Sequence, residues 1–84
     1  MGAAHRLAVL RYLVKAGDAG LQVSEIAART GMAASTLAHH LKALAGAGLI
    51  KQDVQGRSTI NRAHYRHLEA LAEYILQECC MDST

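Results

Sequence analysis

Ser35, Thr36, His39, His40 and Lys42 fall in one short stretch that carries no acid anywhere from Ala33 to Ile50. Hydroxyls, imidazoles and an ammonium are the groups that reach base edges and phosphate oxygens. A carboxylate among them would repel phosphate, and a purely structural helix more often shows Glu and Lys pairs on its wet face. A little further on, Gln55-Gly56-Arg57 presents a cation beside a residue suited to a tight turn. The only two cysteines, Cys79 and Cys80, are neighbours. Neighbouring thiols close no useful loop and a bridge between them is strained, so they do not staple the fold. As thiolates they suit soft acceptors such as arsenic(III), antimony(III) or mercury(II). Cys79 also reads as a small hydrophobe, and the pair reads equally as an oxidation-sensitive or persulfide switch.

The elements that must position these groups follow from periodicity and turn residues. Leu7, Leu10, Leu13 and Val14 recur at helical spacing and predict a first helix over Ala3–Ala16, broken by Gly17 and Gly20. Ser24 is expected to cap a second helix whose Ile26 and Ala27 face inward and which Gly31 ends. A third helix runs from about Ala34 to Ala47 with Leu37, Leu41 and Leu44 on its inner side, and Gly48 closes it. Two helices parted by a three- or four-residue turn have helix-turn-helix spacing. Residues 49–62 then read as a hairpin: Thr59 and Ile60 favour strand, Val54 and Ile60 can face the core, and Gly56 turns the chain. A helix-turn-helix over about 24–47 followed by such a wing is a winged helix, mainly α with a two-stranded β wing. The expected core is Leu7, Leu10, Leu13, Ile26, Leu37, Leu41, Leu44 and Ile60. A last helix over about 64–80 carries Leu68, Leu71, Ala72, Ile75, Leu76 and Cys79 as an apolar stripe wider than so small a monomer needs.

Composition narrows the function. The 84 residues suffice for one domain, 1–84, and the hydrophobic 51% contains no run approaching a bilayer span. The opening residues lack a secretory pattern, so a cytoplasmic protein with no membrane partner is expected. Net charge is only +2, but it is unevenly placed. All nine Lys and Arg lie between Arg6 and Arg66 against three acids, whereas from His67 onward there are four acids and no Lys or Arg. A basic body with an acidic tail suits a nucleic-acid face on one part. No phosphate loop, paired acids or Cys–His arrangement appears, so no enzyme and no required cofactor are expected.

The segments Leu7-Ala8-Val9-Leu10-Arg11-Tyr12-Leu13, Val23-Ser24-Glu25-Ile26-Ala27, Ser35 through Leu44, Ala47-Gly48-Leu49-Ile50 and Gly56-Arg57 resemble, in order and spacing, the ArsR/SmtB family of bacterial repressors. The resemblance covers nearly the whole chain. It implies a homodimeric repressor that binds double-stranded DNA and leaves its operator when a metal or metalloid binds. Family members usually carry another helix ahead of the first segment; with Met1 to His5 in that place, the last helix is expected to supply more of the dimer contact. The cysteine pair that the family places beside the recognition helix would fall near Gln22 and Ser24, which are not ligands. A Cys-Cys ending the final helix is similar instead to an arsenite-sensing subgroup, whose third Cys this sequence lacks. Arsenic(III) prefers three thiolates, so an outside thiol or the partner's pair would complete the set. His64, His67 and Glu69 do not match the family's C-terminal zinc pattern and read as surface groups. A winged helix used only to bind protein is the remaining alternative.

Overall fold

The computed structural model describes residues 2–79. Helix α1 spans Gly2–Ala16 and gives way to a 3-10 turn, Gly17–Ala19. A two-residue strand β1, Leu21–Gln22, leads directly into α2, Val23–Thr30, and then α3, Ala34–Gly46. The hairpin β2, Ile50–Gln55, and β3, Ser58–Ala63, precedes α4, Tyr65–Gln77. This is a winged helix-turn-helix, as the sequence predicts. The sheet has three antiparallel strands in the order β1-β3-β2, one more than expected. Leu21 pairs with Asn61 and Gln22 with Ile60, so the wing is stitched to the entrance of α2.

Val9 and Leu13 of α1, Leu21 of β1, Ile26 of α2, Leu37, Leu41 and Leu44 of α3, Ile50 of β2 and Ala63 of β3 form the core. Three predicted contributors are not fully buried. Leu7 is 57% exposed. It stands about 200° round the helix from Val9, so the i, i+4 pair Val9–Leu13 turns inward and leaves Leu7 with Val14 on the outer stripe. Leu10 is half-buried against the core. Ile60 is only half-buried because Asn61 and Ala63, two apart on β3, take the inward face. Val54 is 71% exposed. Its pair with Thr59 lies next to the hairpin tip, beyond the reach of the helices that cover Ile50 at the base.

Two helix ends also differ from expectation. Ser24 lies inside α2; the cap is Gln22, whose side chain takes the Glu25 backbone N–H while the Glu25 carboxylate accepts from the Gln22 N–H at 2.9 Å. That reciprocal pairing satisfies two otherwise orphaned donors. The final helix stops at Gln77, short of Cys80. No residue of α4 is buried, and Leu71, Tyr74, Ile75 and Leu76 are exposed apolar groups along it. Among the described residues no helix is long and apolar enough to cross a membrane.

Candidate nucleic-acid interface

The turn between α2 and α3 is fixed by its own residues. Gly31 takes φ +74°, the left-handed conformation that closes α2, and its N–H donates to the Ala27 carbonyl at 2.9 Å. The Thr30 hydroxyl donates to the Ile26 carbonyl at 2.8 Å and accepts from the Met32 N–H at 3.2 Å. Three residues later α3 begins, its first turn capped by no side chain.

Leu37, His40, Leu41 and Leu44 fill the buried side of α3. Their spacing of three and four turns Ser35, His39 and Lys42 to the opposite face, with Thr36 at its edge. All four are exposed. An outward face of hydroxyls, imidazole and ammonium with no acid is therefore held rigidly by an apolar inward face.

His40 belongs to the inner face and not, as the sequence suggests, to the outer one. It is 5% exposed and sits against α1, where Arg6 Nε donates to its Nδ1 at 3.3 Å. Its steps of three from Leu37 and four from Leu44 put it on the apolar side of the helix. Burial, then Arg6, His39 and His5, hold its pKa below the ordinary imidazole value, so at neutral pH the ring is uncharged. With Nδ1 accepting, the proton of the neutral ring sits on Nε2.

Helix α3 runs into the wing without slack. The Leu49 N–H donates to the Leu44 carbonyl and the Gly48 N–H to that of Ala45, each at 3.0 Å, with Gly48 at φ +77°. At the far end of the hairpin, Gly56 adopts φ +63° and Arg57 is exposed. Gln55 is exposed but engaged: its Nε2 donates to Asp53 Oδ2 at 2.8 Å. Asp53 also pairs with Arg62 at 3.2 Å. These hydrogen bonds from Gln55 and Arg62 hold the Asp53 carboxyl below its ordinary pKa. Arg57 is thus the basic side chain at the tip itself, while Arg62 is drawn to the base, where its Nε donates to the Asp18 carbonyl at 2.8 Å.

Four residues that shape this surface escape a reading of the sequence. Arg6, Thr30, Asn61 and Arg62 are polar groups whose partners are fixed by the fold. Only Thr30, directly before the turn glycine, carries a local signal, because Ser and Thr often bond backbone groups at such turns. Of the proposed thiol pair, Cys79 is exposed just past α4, where its N–H donates to the Leu76 carbonyl at 3.0 Å. Cys80 lies outside the described residues. Among the described residues no group of three or more His, Cys, Asp or Glu side chains could hold a metal ion. The rings of His64 and His67 stack at 5.7 Å, and His64 Nδ1 lies 3.2 Å from the Gly48 carbonyl oxygen, so the pair joins α4 to the end of α3.

No curated protein matches the chain. The family model described as a helix-turn-helix domain matches residues 1–53, which contain α1, α2, α3 and β2 as far as Asp53. This architecture is that of non-catalytic DNA-binding regulators. With the match covering well over half of the sequence and the turn, recognition helix and wing in place, the chain belongs to the helix-turn-helix domain family.

Proposed function

We propose that the chain is a dimeric transcriptional repressor that binds double-stranded DNA through α3 and the wing and is released by a thiophilic ion, arsenite first among them. The observation that carries the DNA reading is the division of α3 into a buried apolar face and an exposed, acid-free face bearing Ser35, His39, Lys42 and Thr36. Such a helix laid in the major groove reads base edges, while Arg57 at the wing meets phosphate. In a two-fold pair, two such helices would enter successive major grooves about 34 Å apart.

Dimerisation is supported by α4. Leu71, Ile75 and Leu76 form an exposed apolar stripe along α4, continuing from Leu68, which is partly buried against the core. A second copy of the same helix covers such a stripe in a self-complementary way. The inducer reading rests on Cys79 and Cys80. Two thiolates fall short of the three that arsenic(III) prefers, and no described cluster supplies the third. Cys79 lies just past α4, so the partner's thiols would complete the set if the two helix ends meet in the dimer, and an outside thiol would complete it otherwise. The ion releases DNA only if it binds the DNA-free arrangement more tightly.

A duplex-binding assay with arsenite tests both halves. The reading expects salt-dependent binding that arsenite reverses in the native chain and not in a Cys79→Ser, Cys80→Ser double variant that binds DNA normally. Release of the double variant by arsenite removes the thiols from the account. Release of the native protein by oxidant or sulfide, but not arsenite, replaces the metalloid with redox chemistry. A chain that binds no duplex at any salt concentration is a protein-interaction module instead.

A further inference from the structure

Asn61 is the one fully buried polar residue of the wing, at 0% exposure, and both ends of its amide are used. Its Nδ2 donates to the Leu21 carbonyl at 3.1 Å, across 40 residues of sequence, and its Oδ1 accepts from Gln52 Nε2 at 2.9 Å. Leu21 belongs to β1 and is followed directly by Gln22, the cap of α2. A single amide therefore links both wing strands to the entrance of the helix-turn-helix. Gly20 lets the backbones approach: a Cβ there would stand 2.6 Å from the Asn61 carbonyl oxygen and 2.7 Å from Ile60 Cγ2. A leucine or valine at position 61 would serve the core as well by area. Keeping an amide there demands that each polar atom stay satisfied, which fixes one geometry where an apolar group would accept several.

We propose that Asn61 is a positioning residue for DNA binding: the Gln52–Asn61–Leu21 relay sets where the wing carries Arg57 relative to α3. This rests on the DNA-binding reading above. Asn61 makes no contact with DNA; it acts on affinity only through Arg57. Loosening the relay should therefore cost the wing's phosphate contact and nothing more.

The test is affinity for a labelled mixed-sequence duplex as a function of salt, for the native chain, Arg57→Ala, Asn61→Leu and the double variant. Losing the wing contact lowers the slope of log affinity against log salt by about one per wing. Asn61→Leu is expected to match Arg57→Ala in slope, and the double variant to match either alone. Asn61→Leu with the native slope, or a double variant that loses the two effects in sum, overturns the proposal. Should Asn61→Leu fail to fold by circular dichroism, Gln52→Ala decides. That exposed substitution removes one arm of the relay and is expected to give a slope between the native chain and Arg57→Ala; a native slope overturns the proposal. The two readings fail separately. Arg57→Ala with the native slope, or no salt-dependent binding by the native chain, strikes the DNA reading itself.

Discussion

Helices α3 and α4 are each 13 residues long and each carries an apolar stripe at helical spacing, yet they have opposite fates. On α3 the stripe is sealed: Leu37 and Leu41 are 0% and 1% exposed. On α4 nothing is buried, and Ile75 and Leu76 are 58% and 68% exposed. The stripe of α3 is closed by neighbours from the same chain, whereas α4 meets the core only through Tyr65 and Leu68 and leaves its later apolar residues open. That difference divides the molecule into a packed part that presents α3 and an arm whose exposed stripe is the surface proposed above for a second copy.

Stability should therefore respond very differently to equivalent truncations. Leu37→Ala opens a cavity in a sealed core and is expected to cost about 2–5 kcal/mol in urea unfolding. Ile75→Ala, measured on dilute monomer, should stay within about 0.5 kcal/mol, as an exposed position does. In sedimentation the order reverses: Ile75→Ala should weaken self-association, and a mild core substitution should not. Equal costs for the two truncations in monomer would mean that Ile75 is packed onto the chain's own core, and the contrast between the helices would be lost.

A smaller effect sharpens the picture of α3 itself. His40 is neutral in the fold with its pKa lowered by burial and by Arg6, so the unfolded chain takes up a proton more readily. Stability is then fully present above the ordinary imidazole value of 6.5 and falls as pH drops from there toward the lowered folded value. Thermal melts across that window should show the loss in the native chain and a flatter profile in His40→Gln. A native profile with no slope there would mean that His40 is not held neutral against α1.

How much of this the residues reveal in advance depends on whether a signal is periodic or tertiary. The helix-turn-helix, the wing and the outward set Ser35, Thr36, His39 and Lys42 follow from spacing and turn glycines. His40 misleads because its chemistry resembles that of His39 while its angle on the helix falls on the buried side, beside Leu37 and Leu44. Leu7 misleads in the other direction: it shares the helical rhythm but lies on the outer stripe with Val14. Strand β3 inverts a simple rule, turning polar Asn61 inward and leaving Ile60 half-buried, because the amide finds Leu21 and Gln52. Partners 40 residues apart leave no trace in local pattern. The cap of α2 shows the same limit at short range: Ser24 has the favoured cap chemistry, yet the helix begins at Val23 and Gln22 takes the role.

The central claim, that the acid-free face of α3 and the wing tip meet DNA, is tested most directly by backbone amide NMR during titration with a DNA duplex. The expected result is that shifts concentrate at Ala34 through Lys42 and at Gln55 through Ser58, diminish with added salt, and leave Leu71 through Gln77 unmoved. Shifts concentrated on α4, with the amides of α3 and the wing unchanged, would contradict it.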